Sequence, residues 1–287
     1  MGPKRNFITA IFSWVWNTVW GILGPVLRTT IRSSIIGALV WVVFYASFAA
    51  VTASTAEPLN LPDVSELPIH VVGSSEASAN VIGFIGGKGL KNESGTSKNY
   101  IVQQRSIFVN LGINFYLFPN FDQSEKASYK LRSSVKRVER IKALVEFIKQ
   151  TNDRPIYLLG FSRGTVDVGA FSKKYPALIE GIILMSGVYK NTSKKARDFS
   201  MDKIIGDTSE VATLIVHHQK DSCKVTKFAE AKKFYDALNS PKKWLLSFRK
   251  GQATGRECGP KNFHGFEGIE ANVANTVAKW IIKNKSR

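Results

Sequence analysis

The sequence predicts an α/β domain, a mostly parallel sheet with helices on both faces, preceded by an N-terminal membrane or signal segment. Three observations predict it. Short apolar runs alternate with longer helical patterns from residue 69 onward. These runs are apolar throughout, as strands of a sheet covered on both faces are. One of them leads into Gly160-Phe161-Ser162-Arg163-Gly164, which then opens a helical pattern. The first 56 residues, by contrast, hold four basic residues, no acidic one and most of the long apolar runs.

The elements follow in order. Residues 1–32 are basic and aromatic. Phe7 to Leu27 is uncharged and carries Trp14, Trp16 and Trp20, which suits a helix lying in the membrane interface. Residues 33–56 carry no charge over 24 positions, long enough to cross a bilayer as a helix. Arg28 and Arg32 precede this stretch, and no Lys or Arg follows until Lys88. That bias keeps the start of the chain in the cytoplasm and sends the main domain outward. Ser54-Thr55-Ala56 has the small residues that a signal peptidase accepts. The expectation is therefore an exported protein, periplasmic or on the extracytoplasmic face of the inner membrane, either anchored or cleaved. Residues 57–68 read as a proline-containing tether.

Within residues 69–287, strands are expected at 69–72, 81–85, 113–118, 156–159, 182–185, 212–216 and 244–248. Helices are expected at 103–111, 129–150, from Ser162 to about Lys174, 227–238 and 269–283. The helix at 129–150 rests on Leu131, Val135, Val138, Ile141, Leu144, Val145 and Ile148 at helical spacing.

Ser162 is the candidate nucleophile. A sharp strand-to-helix turn brings backbones close and leaves no room for a Cβ at Gly160 or Gly164, and it lifts the serine hydroxyl above the sheet. A serine hydroxyl needs a base. Of His70, His217, His218 and His264, only His264 lies after the last strand and before the last helix, where serine, acid and histidine in that chain order place the base. The acid that orients it is Asp221, just past the strand at 212–216. An oxyanion hole needs two backbone N–H groups: Arg163 supplies one, and Gly87 or Lys88 in Gly86-Gly87-Lys88-Gly89 the other.

Cys223 and Cys258 are the only cysteines, and export to an oxidising compartment makes a disulfide between them the natural reading. Such a bridge ties the acid loop to the base loop. His217, His218 and Asp221 lack a further well-spaced ligand, so no metal is expected, nor any cofactor. The net charge is +18, but the lysines are spread over the domain without aromatic interleaving, so nucleic acid is not an expected partner. Gly86-Gly87-Lys88-Gly89 also lacks the spacing of a phosphate-binding P-loop.

Gly160-Phe161-Ser162-Arg163-Gly164, the segment from Val216 to Cys223, and Cys258-Gly259-Pro260 leading to His264-Gly265-Phe266 together resemble the α/β-hydrolase superfamily. The likeness covers residues 69–285 and is greatest to small bacterial enzymes of the dienelactone hydrolase and prolyl-oligopeptidase type. It implies an α/β-hydrolase fold and acyl transfer, with Ser162 attacking, His264 moving the proton and Asp221 orienting His264. Only about 25 residues, Gly187 to Val211, separate two strands where lipases of this fold carry a lid, so little or no lid is expected. The oxyanion segment lacks the His-Gly-Gly-Gly form of one esterase branch. The expected substrate is an acyl-containing small molecule, lipid or peptide, and the expected reaction is cleavage of a carboxylic ester or related acyl group. A peptidase, amidase or thioesterase uses the same triad, and a non-catalytic envelope protein with a retained hydrolase fold is the alternative outside enzymes.

Overall fold

The structure, a computed structural model, describes residues 57–285 other than 191, 192 and 194. The expected interfacial, signal or anchor segments at 1–32 and 33–56 lie outside the described residues. Among the described residues, no helix is long and apolar enough to cross a membrane.

Among the described residues, eight strands form one sheet: β1 (Glu57–Leu59), β2 (Ile69–Val72), β3 (Ala79–Phe84), β4 (Ile113–Leu117), β5 (Ile156–Phe161), β6 (Gly181–Met185), β7 (Ala212–His218) and β8 (Lys243–Phe248). Their spatial order is β1-β2-β4-β3-β5-β6-β7-β8. The pairs β1–β2 and β2–β4 are antiparallel, and the rest are parallel. The helices are α1 (Tyr100–Asn110), α2 (Tyr129–Arg132), α3 (Val135–Thr151), α4 (Thr165–Lys174), α5 (Met201–Ile204), α6 (Phe228–Ala237) and α7 (Glu270–Asn284).

Strand parity builds two cores. Ile82, Phe84, Leu158, Ile182, Leu184 and Ile215 face one side, where they meet α3, α4 and α6. Val81, Leu159, Ile183, Met185, Leu214 and Val216 face the other, against α1 and α7. Because side chains alternate across a strand, an unbroken apolar run is what a sheet buried on both faces requires. Each such side chain contributes roughly 1.5–3 kcal/mol on leaving water.

Two expectations are corrected. Residues 57–68 are not a free tether: β1 pairs with β2 in the register Glu57↔Val71, and Val64 and Leu67 are buried. The single helix expected at 129–150 is two helices broken at Ser133-Ser134. Ser134 leaves the helical conformation and caps α3, its Oγ accepting from the Arg137 amide at 3.3 Å, a role serine fills better than a helix interior. The segment between β6 and β7 holds a 3-10 turn and the four residues of α5, in line with the short connection expected there.

At the site end, β3 and β5 are neighbours with Phe84 level with Gly160. The loop after β3 therefore emerges beside the turn after β5, at the carboxyl ends of the strands.

Candidate active site

Ser162 opens a 3-10 turn, Ser162–Gly164, between β5 and α4, and it adopts φ +55. A non-glycine residue in this region is strained and persists only when its surroundings enforce it. The flanking glycines do so. A Cβ on Gly160 would lie 2.6 Å from the Gly164 carbonyl oxygen, and one on Gly164 would lie 2.0 Å from that of Phe84. The turn closes on the neighbouring strand only because both positions lack side chains. The Thr165 hydroxyl donates to the Ser162 carbonyl at 2.7 Å.

The loop after β3 packs against this turn. A Cβ on Gly86 would meet the Ser162 Cβ at 2.8 Å. The Gly89 amide donates to the Gly86 carbonyl at 3.2 Å, closing a turn in which Gly87 takes φ +60. The Lys88 carbonyl accepts from the Asn120 side chain at 3.0 Å and the Ala127 amide at 3.2 Å. The Arg163 side chain lies over the Tyr129 ring, 4.4 Å from its centroid.

Asp221 and His264, distant in sequence, meet here. Asp221 Oδ2 accepts from His264 Nδ1 at 2.9 Å, so Nδ1 carries the proton and Nε2 keeps its lone pair. His264 is buried, in the 3-10 turn Phe263–Gly265. Its carbonyl accepts from the Ser186 hydroxyl at 2.9 Å. Its ring stands edge-on to Phe161, the residue before Ser162, at 5.3 Å between centroids.

Asp221 holds three further hydrogen bonds. Oδ2 accepts from His217 Nε2 at 3.1 Å and from the Thr226 hydroxyl at 3.1 Å, and Oδ1 accepts from the Cys223 amide at 2.9 Å. Burial pushes this carboxyl up, but the hydrogen bonds from His217 and His264 outweigh it and hold the group at about 2. His217 Nε2 also faces the Thr226 carbonyl at 2.7 Å. Both partners only accept, so Nε2 is a donor.

Cys223 and Cys258 form a disulfide with Cα atoms 4.7 Å apart, fastening the acid loop to the chain that leads to His264. Donor atoms of Asp221, Cys223 and His264 lie within 4.8 Å of one another, a spacing that suits a metal. The chemistry does not: the Cys223 sulfur is spent in the disulfide, and His264 Nδ1 carries a proton toward the carboxylate. His218 is equally committed, its Nε2 to the Lys250 carbonyl at 2.9 Å and its Nδ1 accepting from the Lys220 amide at 3.0 Å.

Sequence reasoning missed Ser186 and Thr226. Both lie in loops, and each acts through a contact that only the folded chain creates.

No family model matches the sequence, and neither does any curated protein. Solved structures do match. The chain is similar to a dienelactone hydrolase from Anabaena variabilis, with a TM-score of 0.55 at 13% identity over 81% of this chain and 98% of that one. An α/β serine hydrolase homologue from Coxiella burnetii gives 0.55 at 17% identity, over 82% and 99%. An α/β serine hydrolase without a lid from Xanthomonas campestris gives 0.54 at 14% identity, over 82% and 96%. With the sheet order described above, they establish that the chain has the α/β-hydrolase fold.

Proposed function

We propose that the chain is a serine hydrolase that cleaves a carboxylic ester or related acyl substrate. The observation that carries this reading is the Asp221–His264 hydrogen bond, formed across 43 residues of sequence at the end of the sheet where Ser162 sits on its strained turn.

The chemistry follows from the groups present. His264 Nε2 takes the proton of the Ser162 hydroxyl as Oγ attacks the acyl carbonyl. Asp221 holds the imidazole by Nδ1 and stabilises the imidazolium. Negative charge develops on the former carbonyl oxygen, and the amides of Arg163 and of Gly87 or Lys88 donate to it. Collapse expels the leaving group, which takes the proton from His264. Water, deprotonated by His264, then hydrolyses the acyl-enzyme and restores Ser162. The short segment between β6 and β7 favours small or accessible acyl groups. Likeness to a dienelactone hydrolase and to an α/β serine hydrolase homologue supports the reading. The apolar, uncharged stretch at 33–56 and the disulfide support export to an oxidising compartment, with membrane association through the N-terminus.

The test is turnover of matched aryl esters, thioesters and anilides by the full chain, beside Ser162→Ala and His264→Ala. Ester cleavage lost in both variants is the expected result, and the amide-to-ester ratio separates esterase from peptidase. Equal hydrolysis by the Ser162→Ala variant would sink the proposal.

A further inference from the structure

We propose that Arg132 is a positioning residue that sets the oxyanion loop for catalysis, a role that rests on the serine hydrolase reading above. Arg132 ends α2 and is fully buried. Its Nη2 donates to the Ile85 carbonyl at 2.9 Å and, at the long distance of 3.5 Å, to the Gly87 carbonyl. Its Nε donates to the Ala127 carbonyl at 3.1 Å. Its Nη1 pairs with Asp167 Oδ2. Asp167 lies in the first turn of α4, the helix that follows Ser162. One guanidinium therefore ties the oxyanion loop to the nucleophile's own helix.

The geometry of the peptide unit makes this consequential. A trans peptide is planar, so a carbonyl held on one side sends the next residue's N–H to the other. Arg132 holds the Ile85 and Gly87 carbonyls, which fixes the Gly86 and Lys88 amides. The Gly89 amide holds the Gly86 carbonyl, which fixes the Gly87 amide. Every peptide plane from Ile85 to Lys88 thus has its carbonyl held, two by Arg132 and the middle one by the loop's own Gly89 amide. A loop with glycine at 86, 87 and 89 has little conformational preference of its own, and an oxyanion hole works only if its donors are aimed before the reaction.

The choice of residue fits. Only a guanidinium presents five donors in a rigid fork, and a lysine ammonium in its place reaches Asp167 without spanning both carbonyls. A buried ion pair adds little to stability over a packed apolar pair, so fold stability alone gives weak reason for this one. Asp167 Oδ1 accepts from Arg137 Nε at 2.8 Å, Oδ2 pairs with Arg132 Nη1, and Arg132 Nη2 is the arm that reaches the loop carbonyls.

The test uses Arg132→Lys and Arg132→Met in the full chain, with melting temperature recorded for each. The expected result is a kcat lower by about 100-fold with KM within about twofold. Affinity for a boronic acid that mimics the tetrahedral intermediate falls by the same factor as kcat. A folded Arg132→Lys enzyme with wild-type kcat overturns the proposal, and so does a kcat loss without loss of boronate affinity. Should neither variant fold, the phosphonate adduct of the wild-type chain decides in a crystal structure. The phosphonyl oxygen must accept from the Gly87 or Lys88 amide with Arg132 still on the Ile85 carbonyl, and an oxygen that no loop amide reaches overturns the role. Absence of any adduct on wild type refutes the serine hydrolase reading itself, and this role with it.

Discussion

Asp221 receives more hydrogen bonds than orienting one imidazole requires. His264 takes one lone pair, while His217, Thr226 and the Cys223 amide take others. Together they keep a buried carboxylate ionised and aimed. The carboxyl titrates at about 2 in the fold against about 3.9 when unfolded. Its contribution to stability is fully present above the unfolded value and is lost as pH falls toward 2. His217→Leu removes one donor and raises the folded value, so the acid limb of the stability curve, read by fluorescence, moves to higher pH. An unmoved limb would show that His217 does not bear on the carboxylate. Asp221→Asn keeps the shape of the side chain but favours the wrong tautomer of His264. It lowers kcat by about 10⁴-fold, and it lowers the melting temperature too, because the carboxylate's contribution to stability goes with the charge. That Asp221 meets His264 at the end of the sheet that carries Ser162 was legible in the sequence, because each residue sits in a local pattern: glycines around the serine, and acid and histidine after successive strands. Thr226 and Ser186 were not, because a threonine or serine in a loop looks the same whether it faces solvent or a carboxylate.

At the scale of elements, the turn after β5 is legible for a steric reason. Gly160 and Gly164 are spaced so that the backbone folds back on itself, and the structure shows the cost of any substituent. Gly164→Ala drives a Cβ against the Phe84 carbonyl and must move main chain, so a loss of about 3 kcal/mol or more is expected by urea denaturation. Gly87→Ala meets no atom within 4 Å, but it must hold φ +60, which costs about 1–2 kcal/mol. The ordering Gly164→Ala worse than Gly87→Ala is the prediction, and the reverse would contradict the account of the turn. The break between α2 and α3 was hidden because the apolar spacing runs through it. Helical periodicity counts apolar positions, not their burial: Val135, placed on the apolar face by its spacing, is exposed at the start of α3. The break matters: it puts Arg132 at a helix end and Arg137 in the first turn of the next, both on Asp167.

Across the whole molecule, the carboxyl ends of β3, β5 and β7 and the connection after β8 bring four distant segments together. Alternating apolar runs reveal such a sheet, but they say nothing of strand order, so the antiparallel edge formed by β1 and β2 escaped sequence reasoning. One covalent link crosses this assembly. The Cys223–Cys258 bridge closes 35 residues of chain, worth about 4 kcal/mol on the entropic view. The double variant Cys223→Ser with Cys258→Ser is therefore expected to melt lower. Because the Cys223 amide holds Asp221, its kcat should also fall at temperatures where it remains folded. Unchanged kcat would make the bridge a stabiliser alone. A working nucleophile at Ser162 is tested by the intact mass of the oxidised full chain after exposure to a fluorophosphonate, beside Ser162→Ala. A single phosphonyl adduct is expected on the wild type and none on the variant. A folded wild type that stays unmodified, or a variant labelled equally, would contradict it.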